Sequence, residues 1–441
     1  MPIFNSDSES GALKSEAILT KMLRAGAGRA EIQLLEELFP TEGFMGVHDS
    51  LYARLLLLEN GIRLAFVSLE VTSLPDEQVT ALQKVVGEAA GLLPENVLIC
   101  VTHTFSAPHF LPKHLCKTPA DQQKNELLFT AIKNALEMAA SLAVSEMKSA
   151  LYGCETGFCD VNVNRDILTV GGWWLGGNET GPSDKSVTVL RFDTLQGNPI
   201  AILFSYGVQP SVMDGSQMSG GGRLVSADLT GAAARILEQE YGGTVSALFC
   251  LGAAADQAPA LKAKSQYLDK DGQIRVQDIH EQGFIIAELL GKRLGCEVLR
   301  IAETIKCKAA AGSFFKEKYM VKLPGQKLVD MHAIKPTHQY TFFPAEKRNE
   351  PVEIIRLGAE IALIGVRPEL GCLTAATFKK HSPFHKTLVL TMVNGGAKYM
   401  PELGAYKRIT YEAMNSPFAC GSAERLCKKV VKRLKSIYSG R

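Results

Sequence analysis

The stretch Asn96-Val97-Leu98-Ile99-Cys100-Val101-Thr102-His103-Thr104-Phe105-Ser106-Ala107-Pro108-His109 decides how this chain is read. Its first part is an apolar run of strand length, as expected for a strand buried on both faces. A histidine where such a strand ends, followed by Ser106 and Pro108, puts a metal ligand or an acid/base group on a rigid support. A second imidazole two residues on would point to the same side of an extended backbone. Phe105 stands there instead. The plainer alternative is a hydrogen-bonded core histidine beside an aromatic packed on the sheet.

Working outward, apolar runs of strand length recur at 63–71, 186–192, 199–207, 244–252, 360–366 and 387–393. Helical periodicity lies between them at 76–90, 127–147, 227–241, 278–299, 370–381 and 422–438. Strands alternating with helices predict an α/β fold, with mixed β-sheets layered with helices. The runs at 186–192 and 199–207 are close enough to form an antiparallel pair. Two Gly-rich segments, 160–183 and 211–222, read as long polar loops that shape a site. With no repeat and no clean linker, residues 25–441 read as a single domain after an N-terminal extension, 1–24.

The 441 residues are 46% hydrophobic and 21% charged, with a net charge of +2, so no strong field favours nucleic acid or a membrane surface. The first residues have no apolar core of the kind that marks a secretory signal. No uncharged apolar run reaches the roughly 18 residues of a membrane span. Ten cysteines occur without a C-x-x-C pair. These features predict free thiols, a cytoplasmic location and a small-molecule substrate.

Further candidates lie where other strands end. Gln209 precedes Pro210, which holds its backbone extended. Arg165 adjoins Asp166 in the polar segment, an exposed ion pair by default, although its planar fork also suits an oxyanion. Ser226 or Asp228 reads as the N-cap of a helix. Asp256, in Gly252-Ala253-Ala254-Ala255-Asp256-Gln257-Ala258-Pro259, is placed to cap a helix or align a partner, with no nucleophilic Ser or Cys beside it. Glu369 follows Arg367-Pro368 and reads as either a helix-opening carboxylate or a metal ligand. Tyr399, Tyr406 and Tyr411 cluster in one irregular segment.

In this order, these residues resemble the neutral/alkaline (non-lysosomal) ceramidase family in its N-terminal catalytic domain. The likeness runs from about Gly26 to Leu426. It includes Ala27-Gly28-Arg29-Ala30-Glu31-Ile32, Gly43-Phe44-Met45-Gly46-Val47-His48-Asp49, Leu51-Tyr52-Ala53-Arg54, the His103 segment, Asn164-Arg165, Ser226-Ala227-Asp228 and the tyrosines. No counterpart of the family's C-terminal β-sandwich is expected after the tyrosines.

The resemblance implies a zinc amidase that cleaves an N-acyl bond, the metal polarising a water and the oxyanion. It assigns His103, Glu369 and Tyr399 to zinc, and Arg165 and Tyr411 to substrate. Three positions depart from the family: Phe105 stands for its second histidine, Gln209 for a zinc histidine and Ala258 for a serine. A His/Gln/Glu/Tyr set is harder and weaker for zinc than the usual N/S set; Gln209 or a rearranged His109 would complete it. The expectation is a hydrolase acting on an amide or ester of a small soluble substrate, possible zinc assistance included. The alternatives are a ligand-binding or regulatory protein that kept the pocket, or a metal-free lyase or isomerase.

Overall fold

Alternation along Leu55-Leu56-Leu57-Leu58 reveals the layering: Leu55 and Leu57 face one core, Leu56 and Leu58 a second. The computed structural model describes residues 22–111 and 115–440; most of the expected extension, 1–21, lies outside them.

In chain order come strands β1 (Arg24–Ile32), β2 (Phe44–Val47), β3 (Leu51–Glu59), β4 (Arg63–Leu69), helix α1 (Asp76–Ala90), β5 (Val97–Val101) and α2 (Pro119–Ser145). Next are β6 (Lys148–Phe158), β7 (Asn162–Thr169), β8 (Gly172–Asn178), β9 (Ser186–Thr194), β10 (Pro199–Tyr206), β11 (Arg223–Val225), α3 (Asp228–Glu240), β12 (Ser246–Leu251) and β13 (Gln257–Pro259). The hairpin β14 (Lys264–Leu268) and β15 (Ile274–Asp278) leads to α4 (Gly283–Thr304), β16 (Phe315–Gln326), β17 (Pro344–Leu357), β18 (Ile361–Val366) and β19 (Glu369–Leu370). The chain closes with α5 (Cys372–His381), β20 (Lys386–Leu390), β21 (Tyr399–Met400), α6 (Leu403–Arg408), α7 (Tyr411–Met414) and α8 (Ser422–Ser439).

An eight-stranded mixed sheet runs β12-β10-β9-β6-β1-β3-β4-β5, with β12/β10 and β4/β5 parallel. A four-stranded sheet runs β16-β17-β18-β20. Helices α1 to α4 cover one face of the large sheet through Leu82, Leu136, Leu237 and Leu294. Leu56, Phe66, Leu203 and Leu248 on its other face meet Ile355, Leu363 and Leu388 of the small sheet. The small sheet's far face packs on α5 and α8 through Ile354, Ile364, Phe378, Leu426 and Val430. The order of layers is therefore helix, sheet, sheet, helix, the α/β class expected.

The ends of the large sheet come back together: Ser68 Oγ in β4 donates to the Phe249 carbonyl in β12 at 2.7 Å. This places the carboxyl end of β5 beside that of β10, and Phe105 N donates to Pro210 O at 3.1 Å. Carboxyl ends of strands in open α/β sheets are where ligands usually bind.

The expected elements hold with corrections: the helix expected at 127–147 runs Pro119–Ser145, and β1, β3 and β6 were not expected. Segment 160–183 is not a loop but carries the hairpin β7–β8 and the strand pairing of β7 with β13. Its asparagines disguise it: Asn162 and Asn164 turn their amides onto the carbonyls of Asp184 and Pro182 instead of facing water. The helix expected at 370–381 starts at Cys372, and the one at 278–299 runs Gly283–Thr304. Strands β16 and β17 carry charged residues on their solvent side, which hid the apolar period. One helix among the described residues, α2, is long and apolar enough to cross a membrane, contrary to expectation. Here Leu128, Ile132, Leu136, Ala139 and Ala143 bury that face in the core.

Helix α2 starts on a capping box between Thr118 and Asp121, and it lies directly on β1. A Cβ on Gly28 would meet the Ala139 carbonyl at 2.2 Å. Gly28→Val is therefore expected to destabilise the protein by at least the roughly 1–3 kcal/mol of an overpacked core, read from urea unfolding.

Candidate active site

His103 sits just past β5 with φ of +67°, a left-handed conformation uncommon for a residue with a Cβ. Such strain, about 1–3 kcal/mol, persists only where the surroundings over-determine it. Here His103 N donates to Val71 O at 3.0 Å, and Nδ1 lies 2.5 Å from Thr72 O. The carbonyl can only accept, so Nδ1 carries hydrogen. Thr104 Oγ1 donates to Ser226 O, and Ser226 N donates to Ser106 O, so the turn before α3 braces this loop. Ser226 Oγ accepts from Asp228 N and Asp228 from Leu229 N, but neither is the N-cap expected: that position is Ala227, whose side chain caps nothing.

Nε2 of His103 faces Glu369 Oε1 at 3.4 Å, too long for a good hydrogen bond, and has no other partner. Glu369 is held by the parallel pairing of β19 with β21, in which Glu369 and Tyr399 are register partners. Its other oxygen accepts from Gln209 Nε2 at 2.6 Å. Gln209 Oε1 accepts from Arg165 Nη1 at 2.6 Å, and Arg165 Nε donates to Glu412 Oε1 at 2.7 Å. The Arg165 guanidinium lies 5.2 Å from the Tyr399 ring centre and 6.0 Å from that of Tyr411. Asn415 Nδ2 donates to the Tyr411 hydroxyl at 3.0 Å, and Trp174 meets Tyr411 edge-on. All of these residues except Tyr411 and Trp174 are buried.

Burial works against charge on His103, but the Glu369 carboxylate outweighs it and holds the imidazole above its usual value. Burial likewise raises Glu369, but His103, then Arg165 and Gln209, more than offset it and hold the carboxyl below its usual value. Each group thus favours the charged form of the other. Burial raises both phenols, Tyr399 and Tyr411, which stay protonated.

Arg165 is not an exposed partner of Asp166. It is buried against Glu412, while Asp166 faces Glu412 and Arg408. Burial, with the nearby carboxylates Glu412 and Asp256, pushes Asp166 up to about 9. An unfolded aspartate titrates near 3.8, so the folded state holds an extra proton between these values. Stability from this group is thus full at low pH and falls as pH rises through that window. Asp166→Asn keeps the neutral form and is expected to flatten the fall in Tm between about pH 5 and 9.

Other candidates lie elsewhere. His109 is half-exposed and paired with Glu42 at 2.7 Å, so it does not complete a shell around His103. Tyr406 packs on Phe342 and donates to Phe418 O, away from the network. Asp256 aims its carboxylate at Cys372 N, capping α5 across space, and only its carbonyl reaches the site, accepting from Arg165 N. Ala258 lies in β13 opposite Val163. The Phe105 and His103 rings pack steeply inclined, their centres 4.7 Å apart. Sequence reading missed Glu412, whose signal was its place in the capped turn Thr410-Tyr411-Glu412-Ala413, and Trp174 as a wall of the site.

The expected zinc set meets these contacts as follows. Gln209 Oε1 is taken by Arg165 and Glu369 Oε2 by Gln209, and the Arg165 guanidinium lies over the Tyr399 ring at 5.2 Å. His103 Nε2 and Glu369 Oε1 remain beside a phenol that burial keeps protonated, short of the three or four donors zinc takes. Among the described residues no cluster of three or more His, Cys, Asp or Glu is placed to hold a metal. The residues present do not fit the ion.

No family model matches the chain. Neutral ceramidases of Drosophila pseudoobscura pseudoobscura and Drosophila melanogaster are each 27% identical over 234 residues, 48% of this chain and 32% of theirs. Neutral ceramidase B of Dictyostelium discoideum is 25% identical over 231 residues, 48% of this chain and 30% of its own. The matches thus span about a third of the length of these curated relatives. Among solved structures, a ceramidase complexed with C2 superposes with a TM-score of 0.70 at 16% identity, covering 93% of this chain and 74% of that one. The neutral ceramidase from Pseudomonas aeruginosa gives 0.69 at 16%, covering 93% and 73%. The chain therefore has the fold of neutral ceramidases and resembles them in sequence along about half of its length.

Proposed function

We propose that this chain is a divergent member of the neutral ceramidase family that hydrolyses an amide or ester bond of a small soluble substrate, without a metal. The observation that carries this reading is the convergence of His103, Arg165, Glu369, Tyr399 and Tyr411 from five separate segments into one buried network. Two titratable groups whose surroundings push them apart in opposite directions mark an acid and a base. Glu369, held ionised, is the base; His103, held protonated, is the acid. Water adds to the acyl carbon as Glu369 takes its proton. The oxyanion is met by Arg165 and the Tyr411 hydroxyl. As the C–N or C–O bond breaks, His103 protonates the leaving atom. The proton on Glu369 then returns to His103.

The test is turnover of a panel of short N-acyl amides and esters, with and without EDTA. Hydrolysis that resists the chelator and disappears in Glu369→Gln supports the reading. Hydrolysis that the chelator abolishes overturns the metal-free chemistry. The second reading, ligand capture without turnover, is favoured by the way Gln209 ties the network shut. It predicts a rise in Tm with a panel member but no product.

A further inference from the structure

We propose that Gln209 takes the place of a metal ion in this pocket and closes it to divalent cations. The inference deepens the proposed metal-free reading of the same site. Arg165 has only donors, so the amide end facing it must be the oxygen; an ionised Glu369 only accepts, so it must receive the NH2. The amide orientation is thereby forced, with both contacts at 2.6 Å. A cation binds lone pairs, whereas Gln209 turns hydrogens toward Glu369 and spends its oxygen on Arg165.

Arg165 adds a second barrier. Its guanidinium is buried, fixed at 2.7 Å by Glu412 and placed beside Tyr399. A divalent ion among Glu369, Tyr399 and Gln209 would meet this permanent positive charge and would have to break both amide contacts. The mechanical task of an ion is already done, because the amide joins the end of β10 to β7 on one side and to β19 on the other. Phe105 is consistent with this: it packs an aromatic ring, with no lone pair to offer an ion, against His103. The changes at 105 and 209 thus form one arrangement.

The experiment loads the purified full chain with zinc or cobalt, removes free ion, and measures bound metal, the cobalt absorption spectrum and Tm with and without zinc. The native chain is expected to hold substoichiometric metal, with no tetrahedral cobalt bands and no Tm change. Gln209→His is expected to bind one ion per chain, gaining more than the roughly 10–100-fold in affinity that an outer-shell partner is worth. If that variant does not fold, Gln209→Glu, which places a second carboxylate beside Glu369, takes its role. One tightly held zinc in the native chain, lost in His103→Ala and Glu369→Gln, overturns the inference. So does a folded Gln209→His that gains nothing. None of these measurements uses a substrate, so absence of turnover, which would sink the proposed hydrolysis, leaves this inference standing.

Discussion

Replacing Arg54 with methionine is expected to lower the free energy of unfolding by about 3–5 kcal/mol, the cost of stranding buried charge. Arg54 is 1% exposed. Its Nη1 donates to Glu70 at 2.6 Å and its Nε to Glu238 at 2.7 Å. Glu70 ends the run from β4 and Glu238 lies on α3, so the guanidinium ties the large sheet to its helical cover. Methionine fills the volume but leaves two carboxylates facing each other in the interior. Burial already raises Glu70, and Arg54 is the main opposing influence. Without it, Glu70 is expected to take up a proton, so the loss of stability grows with pH, because the folded variant then binds protons the unfolded chain does not. Urea unfolding at two pH values checks this. The triple variant Arg54→Met, Glu70→Gln, Glu238→Gln is expected to regain most of the loss, since neutralising a whole buried ion cluster is far cheaper than breaking it. If Arg54→Met alone costs less than about 1 kcal/mol, the value of a surface pair, the cluster does not bind the layers as described.

What could be read in the sequence was local. Helix α1 runs Asp76–Ala90 as its period indicates, with Val79, Leu82, Val86 and Ala90 buried and Gly91 left-handed behind it. His103 could be singled out because it ends an apolar run; Arg165 stood out only for the planar fork it carries in a segment read as a polar loop. What was hidden depended on distance along the chain. Glu369 reads as a helix opener because Pro368 precedes it and a helical period follows. Its real setting is a two-residue parallel pairing with Tyr399, thirty positions away, which leaves no local trace. Glu412 escaped too: its capped turn marks a helix start, but nothing near it signals the Arg165 it neutralises. Gln209 stood out as a strand-end residue before a proline and as a departure from a family pattern. Its meaning, an amide joining an arginine to a carboxylate, needed three strands to be brought to one end of the fold.

Glu369→Gln is expected to cut kcat/KM for any substrate of the panel by about 10²–10⁴, the usual worth of a positioned acid or base. The loss should exceed that of the acid alone, because the substitution removes two functions. The neutral amide cannot take the proton from water. It also withdraws the charge that holds His103 above its usual value; burial, the largest influence on that imidazole, then prevails and the pKa falls. The imidazole C–H resonances followed by NMR against pH report this directly, without substrate. His103→Gln removes only the acid, so its effect should depend on the leaving group. Amides, whose nitrogen must be protonated to depart, are expected to lose most of their turnover. Esters with acidic alcohols leave unaided and should lose far less. A remote control, Tyr406→Phe, gives up the hydroxyl's contacts with Phe418 O and Ser416 Oγ and should leave turnover unchanged. Equal losses for amides and activated esters in His103→Gln would mean that His103 does not act on the leaving group. An unshifted His103 titration in Glu369→Gln would mean that the two side chains are not coupled across their 3.4 Å contact.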